Sequence, residues 1–205
     1  MTVYKTEQEE FWAGEFGNDY TDRNQGAQLI ASNIALFASI LARTRQVRSV
    51  LEFGANRGLN LLALRSLLPL AELSAVEINP KAVNELENIK NINIYPQSML
   101  DFSVDYQRDL VLSKGLLIHI APDMLPQAYK VLYECSSRYI CLVEYYSPTP
   151  VEVEYRGHKG KLFKRDFAGE IMDIYSDLLL VDYGFVYHRD TYFSKEDINW
   201  FLLQK

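Results

Sequence analysis

The sequence has only two cysteines, Cys135 and Cys141, among 205 residues. That is too few for a disulfide framework, and their spacing matches no metal-ligand pattern, so a reducing, cytoplasmic setting is expected. Its three histidines, His119, His158 and His188, are scattered, with no H-x-x-x-H or C-x-x-C pair beside them; no metal is expected. Positive charge is not in excess either: 21 Lys and Arg stand against 27 Asp and Glu, a net charge of -6. Without an overall positive field to neutralise phosphates, a dedicated nucleic-acid binder is not expected. The longest apolar run, IALFASILA, is far too short to span a bilayer, and the opening MTVYKTEQEEFW is polar and acidic, without the apolar core of a signal peptide. Internal repeats, low-complexity stretches and Gly/Ser- or Pro-rich linkers are absent too, so one domain over 1–205 is expected.

What the sequence does contain is alternation. With 48% hydrophobic residues, a chain of this length can bury a sizeable core. After a polar, aromatic head, Ile30, Ile34, Phe37 and Leu41 recur at helical spacing and predict an amphipathic helix from about 26 to 43. VRSVLEF reads as a first strand, Leu61, Leu64 and Leu68 as one face of the next helix, and ELSAVEI as a second strand. Asn79 and Pro80 form a helix start, with Val83, Leu86 and Ile89 on one face. INIYPQS, DLVLSK and RYICLVEYY are strands three to five, with a helix over PDMLPQAYKVLYECS before the fifth. Residues 147–165 carry two prolines and two glycines and read as an irregular insertion over one sheet edge. Phe167, Ile171, Ile174 and Leu178 predict another helix, and LLLVDYGFVYHRD and DINWFLLQK a final antiparallel pair.

The expected fold class is α/β: a three-layer, Rossmann-like sandwich with a mostly parallel seven-stranded sheet and an antiparallel C-terminal hairpin. Residues 1–45 would form a helical cap, 46–145 a ligand-binding core, 146–165 an insertion on the substrate side, and 166–205 the last helix and hairpin.

In an open parallel sheet, ligands bind beyond the carboxyl ends of the strands, where strand order reverses. SVLEFGANRGLN places a strand end there, followed by Gly54 for a tight turn and Gly58 for close packing of the next helix. Glu52, two residues before Gly54, would repel a pyrophosphate and welcome a cationic or amine-bearing ligand. The spacing E-x-G-x-x-x-G also departs from G-x-G-x-x-G, since Asn56 occupies the middle glycine position. Glu77, 23 residues beyond Gly54 at the tip of the second strand, is placed to accept both hydroxyl hydrogens of a ribose. A nucleoside without phosphates and with a cationic centre suits both acids, and S-adenosylmethionine is such a ligand. The bland alternative is a turn that serves packing alone. A nicotinamide-dependent oxidoreductase is the competing ligand reading, and Glu52 and Asn56 count against it.

VLEFGANRG, AVEINP, QSMLDF and DLVLSKGLLIHI, over about 45–145, resemble the successive motifs of the class I methyltransferases. The resemblance implies S-adenosylmethionine as cofactor. It implies contacts from Glu52, Gly54, Asn56 and Gly58, from Glu77 and Ile78 at the ribose, and from Ser98, Met99 and Leu100 in the adenine-side loop. Ser113, Lys114 and Gly115 would lie beside the transferred methyl. Two positions depart from the pattern: Asn56 replaces a common glycine, and Ser98 stands where an acid often contacts adenine. FWAGEFGNDYTDRN, KGLLIHI, LYECSSRYI, VEYY, YRGHKGKLFKRDFAGEIMD and VDYGFVYHRD together are similar to the pseudaminic acid biosynthesis-associated methyltransferase family. That likeness implies methylation linked to bacterial sialic-acid-like, or nonulosonic acid, pathways, with the acceptor poorly fixed even at family level.

On the acceptor side, His119 is the first choice for a general base and Glu144 the second, with Tyr145 and Tyr146 at the same rim. A hydrogen-bonded supporting histidine is the equal alternative for His119. The run YRGHKGKLFKR concentrates positive charge and is either a solvated surface or a lid. As a lid, Arg156, His158, Lys161, Lys164 and Arg165, with ring faces from Tyr155 and Phe163, would hold an acceptor carboxylate or phosphate. An anionic small molecule is thus the expected partner. In the head, Trp12, Phe16 and Tyr20 either cover the sheet edge or, with Arg23 pairing the cofactor's carboxylate, Tyr20 and Arg23 close over its methionine part. From a different class, a noncatalytic S-adenosylmethionine-binding subunit or regulator fits the same residues. O- and N-methylation, and every oligomeric state, are equally compatible with them.

Overall fold

The structure is a computed structural model and describes residues 4–205. Two short helices, α1 (Glu7–Ala13) and α2 (Glu15–Arg23), precede the longer α3 (Ala27–Leu41). Strands and helices then alternate: β1 (Ser49–Phe53), α4 (Leu59–Leu67), β2 (Glu72–Val76), α5 (Pro80–Glu87), β3 (Ile92–Tyr95), β4 (Arg108–Lys114), α6 (Leu125–Cys135) and β5 (Ser136–Glu144). β6 (Val151–Tyr155), β7 (His158–Lys164), α7 (Phe167–Ile174), β8 (Leu179–Val186) and β9 (Ile198–Gln204) follow.

Seven strands form one sheet in the order β3-β2-β1-β4-β5-β9-β8. The first five are parallel; β9 runs antiparallel to β5, and β8 to β9. Parallel neighbours need crossovers, and the crossover helices cover both faces of the sheet, so β1, β2, β4 and β5 are buried on both sides over most of their length. Leu51, Phe53, Val111 and Ile140 belong to a buried cluster with Leu132 of α6 and Ile171 of α7. Val50, Leu112 and Val143, one residue out of step, pack instead with Phe37 and Ile40 of α3 and Leu61 and Leu64 of α4. This is the α/β sandwich with an antiparallel C-terminal hairpin that the alternation predicts. Asn79 caps α5 as expected, its side-chain oxygen accepting the Ala82 N–H at 2.9 Å, with Pro80 in the first turn.

Residues 147–165 correct the sequence reading. They are not an irregular insertion but contain the antiparallel hairpin β6–β7, a separate two-stranded sheet. Arg156 and Gly157 have positive φ angles of 51° and 85°. Two such residues make the tight turn whose twist matches that of the flanking strands, so the chain reverses here in order. Among the described residues no helix is long and apolar enough to cross a membrane, and no group of three or more His, Cys, Asp or Glu is placed to hold a metal.

Candidate functional site

Strand order reverses between β1 and β4, and a cavity of about 280 Å³ opens beyond their carboxyl ends. Small-molecule sites start at roughly this volume, about 300 Å³. Its floor is the turn after β1. Gly54 has φ 71°, and a side chain there would come within 3.0 Å of Leu116; at Gly58, φ 80°, it would lie 2.6 Å from Ile89. Asn56 takes φ 47°, a left-handed conformation that asparagine tolerates better than most residues. The middle position of the motif therefore keeps its backbone shape without a glycine.

Glu77 lines the cavity and is buried. Its two oxygens accept the backbone N–H groups of Asn56 at 2.7 Å and Asn79 at 2.8 Å. Burial raises its pKa against the opposing pull of these bonds, and each oxygen retains a lone pair for a hydroxyl donor. Glu52 is placed differently. Strand alternation puts it on the face of Val50, toward α4, where it accepts Asn60 Nδ2 at 2.5 Å. It is fully buried and outside the cavity wall, which Asn60 supplies instead. Its second oxygen has no partner among the described residues, and burial pushes its pKa up to about 8.

At the end beyond β3, Ile78, Ser98 and Met99 line the cavity, whereas Leu100 does not. The Ser98 hydroxyl accepts the Leu100 N–H at 3.0 Å and donates to Glu9 of α1. Glu9 is buried in the cavity wall, and its other oxygen accepts the N–H groups of Lys5 at 2.6 Å and Thr6 at 3.2 Å, closing a capping box on α1. An acid thus stands beside Ser98 after all, delivered from the amino-terminal helix.

The roof comes from α1, α2 and the β6–β7 hairpin. Trp12, Tyr20 and Tyr155 line it, with the Trp12 ring 5.3 Å from Tyr20 and 4.5 Å from His119. Trp12 Nε1 is buried and has no partner among the described residues. Burial pushes the Tyr20 hydroxyl pKa up. Two long-range bonds join the parts: Gln8 of α1 donates to the Gly160 carbonyl at 2.8 Å, and His119 Nδ1 lies 2.6 Å from the Lys161 carbonyl. A carbonyl only accepts, so Nδ1 carries the hydrogen and Nε2 is the unprotonated nitrogen. Burial lowers the His119 pKa to about 4, which keeps the ring neutral at pH 7.

Glu144 stands behind the wall rather than in it. Its Oε1 accepts the Ser113 hydroxyl at 2.8 Å and the Leu116 and Leu117 N–H groups at 3.1 Å each. It thereby braces the loop leading to His119, while burial raises its pKa to about 7. Ser113 is likewise buried outside the cavity; Lys114, Gly115 and Tyr145 line it. Gly58 lies outside the wall as well, and Arg23 does not reach it, its guanidinium lying 5.8 Å from the Phe16 ring centre.

Of the basic segment, only Tyr155 and Arg156 reach the cavity. Lys161 pairs with Glu7 at 3.0 Å, Arg165 with Glu170 at 2.7 Å, and Lys164 lies 5.0 Å from the Tyr145 ring centre. His158 packs 4.9 Å from Phe11 in an outer groove, and Tyr146 lies 5.9 Å from Phe201. Conversely, Glu9, Asn33, Asn60, Lys195 and Glu196 line the cavity without having been singled out in the sequence. Asn60 follows the glycine turn closely enough to be found by helical spacing; the others arrive from elements distant in the chain.

No family model and no curated protein matches this sequence. Solved structures do. The chain superimposes on the Burkholderia thailandensis 1,6-didemethyltoxoflavin-N1-methyltransferase, bound to 1,6-didemethyltoxoflavin and S-adenosylhomocysteine, with a TM-score of 0.71, 14% identity and coverage of 100% of this chain and 93% of that one. The likeness is one of fold, a seven-stranded, mostly parallel sheet with an antiparallel C-terminal hairpin. A S-adenosylmethionine-dependent methyltransferase from Archaeoglobus fulgidus gives a TM-score of 0.67 at 14% identity, covering 93% of this chain and 100% of that one. The magnesium protoporphyrin IX methyltransferase of Synechocystis PCC 6803, with bound S-adenosylmethionine, gives 0.65 at 13% identity with full coverage of both chains. The shared fold therefore extends over the amino-terminal helices and the C-terminal hairpin.

Proposed function

We propose that this protein is a S-adenosylmethionine-dependent methyltransferase acting on a small anionic acceptor. The acceptor is a sugar or sugar nucleotide linked to nonulosonic acid pathways, methylated on oxygen or nitrogen. The observation that carries the reading is the buried Glu77 carboxylate at the β2 tip, opening onto a cavity at the strand-order reversal with His119 in the same wall. The residues present fit the cofactor. Glu77 has lone pairs for ribose hydroxyls, Ser98 and Met99 with Glu9 flank the adenine end, and the unpartnered Trp12 N–H is a spare donor on the wall. The sugar-acid assignment rests on the sequence resemblance alone.

S-adenosylmethionine, when bound, supplies a methyl group on a positively charged sulfur. The chain's contribution is alignment in a water-poor space, an effect worth roughly 7–11 kcal/mol in well-oriented systems. The turn at Gly54 allows close backbone approach, and Trp12, Tyr20, Tyr145 and Tyr155 exclude water. His119, held as the Nδ1–H tautomer, offers Nε2 to the proton of an acceptor hydroxyl or amine. Glu144 is a positioning residue that holds the loop carrying His119.

Calorimetric titration with S-adenosylhomocysteine and with NAD tests the cofactor, and S-adenosylhomocysteine alone is expected to bind. Incubation with S-adenosylmethionine and sugar-nucleotide extracts should then yield a product heavier by one CH₂. Binding of NAD alone would overturn the cofactor assignment. Binding of S-adenosylhomocysteine without any methylated product would favour a noncatalytic subunit.

A further inference from the structure

Lys195 belongs to the β8–β9 connection, yet its side chain is buried, 6% exposed, in the cavity wall. Its ammonium donates to Asn33 Oδ1 of α3 at 2.5 Å, a neutral partner. Lys114, at the β4 tip, and Arg156 line the same cavity, and among the described residues none of the three cations forms an ion pair. Lysines are almost never buried without an anionic partner, because an ammonium taken from water needs one to offset its desolvation. The cavity's own acids do not fill that role. Glu9 and Glu77 accept protein donors, and Glu196 is not within ion-pair distance of a Lys or Arg among the described residues.

The sheet separates the two charges. Glu77 follows β2 and Lys114 ends β4, with β1 between them, so the acidic and basic ends of the cleft lie two strand spacings apart, roughly 10 Å. We propose that Lys195, fixed by Asn33 and assisted by Lys114, is the carboxylate-binding pole of the cavity. The carboxylate comes either from the amino-acid tail of the cofactor or from the acceptor. This assignment rests on the cofactor reading above and moves anion recognition from the basic hairpin, where Lys161 and Arg165 are already paired, to the connection before β9.

Calorimetric binding of S-adenosylhomocysteine and of 5′-methylthioadenosine, which lacks the amino-acid tail, to the parent protein, Lys195→Met and Lys195→Arg separates the sources. If Lys195 holds the cofactor's tail, Lys195→Met weakens S-adenosylhomocysteine binding by about tenfold to a hundredfold. Methylthioadenosine is then unaffected, and Lys195→Arg recovers most of the loss. If it holds the acceptor's acid, S-adenosylhomocysteine binding is unchanged. N-acetylneuraminate, but not its methyl ester, then raises the melting temperature of the loaded parent and fails to do so with Lys195→Met. The proposal is overturned if Lys195→Met keeps both the nucleoside preference and the acid response of the parent. Failure of the parent to bind either nucleoside would instead defeat the cofactor reading.

Discussion

The floor of the cavity and its roof are held by different kinds of contact. The floor is strand ends and the turns after them: Glu77 receives the Asn56 N–H 21 residues away, and Glu52 meets Asn60 eight residues on. The roof spans far more chain, with Gln8 bonded to Gly160 across 152 positions and His119 to Lys161 across 42. The two also carry opposite electrostatics. The floor buries carboxylates whose pKa values burial raises, Glu52 to about 8 among them, whereas the roof clamps a histidine that burial lowers to about 4. A floor of near-neighbour contacts can form as soon as the parallel sheet does. The roof assembles only when the amino-terminal helices meet the β6–β7 hairpin, so it is the part that perturbation should loosen first.

The sharpest separation of the two is expected from His119→Ala. Cofactor affinity should stay near the parent value, because the proposed ribose and adenine contacts come from other residues, while turnover falls by about a hundredfold to ten-thousandfold; equal turnover in mutant and parent would remove the histidine from the mechanism. Because its pKa is near 4, no activity change traceable to His119 should appear between pH 5 and 8 in a rate profile. Breaking the floor needs a different site. Gly58→Val puts a side chain in left-handed backbone and against Ile89 and Leu86, and should cost about 3 kcal/mol in urea unfolding together with cofactor binding.

Next in size is the pH response of the floor. Glu52 ordinarily titrates near 4.5 and near 8 when folded, so the folded state holds the extra proton in between. Its contribution to stability is complete below pH 4.5 and lost as pH rises through 8. Glu52→Gln should flatten that fall by on the order of 2–3 kcal/mol; an unchanged slope in denaturation curves from pH 5 to 8 would show the carboxyl to be ordinary. His119 works in the other direction: ordinarily near 6.5, it adds stability above that pH that is lost as pH falls through 4. The smallest effect should come from Gln8→Ala, which removes one tie between α1 and the hairpin. About 1 kcal/mol is expected, seen as faster amide exchange in β6 and β7 with the sheet core unaltered.

The same division governs what could be read from residue order. The strands and helices from β1 to β5 follow from hydrophobic period and from Gly54, Gly58, Asn79 and Pro80, all local signals. In residues 147–165 the prolines and glycines mask the alternation of VEVEY, although Arg156-Gly157 forms the two-residue turn of a hairpin. For the site, Gly54, Asn56, Glu77, Ser98, Lys114, Gly115, His119, Tyr145, Tyr155 and Arg156 do line the cavity. Glu52 and Glu144 do not: strand alternation turns Glu52 to the face covered by α4, where it meets Asn60, and Glu144 turns to Ser113 and the backbone of Leu116 and Leu117.

By itself, the sequence determined the order of strands and helices from β1 to β5, the sharp turn after β1 and the acid at the β2 tip, since each depends on residues only a few positions apart. Which cations stay unpaired and which acids brace loops was decided in three dimensions alone. Lys195 meets Asn33, Ser98 meets Glu9 and Lys161 meets Glu7 only after the chain's distant ends close on the sheet, and long-range electrostatic pairing has no period in the residue string for a reader to find.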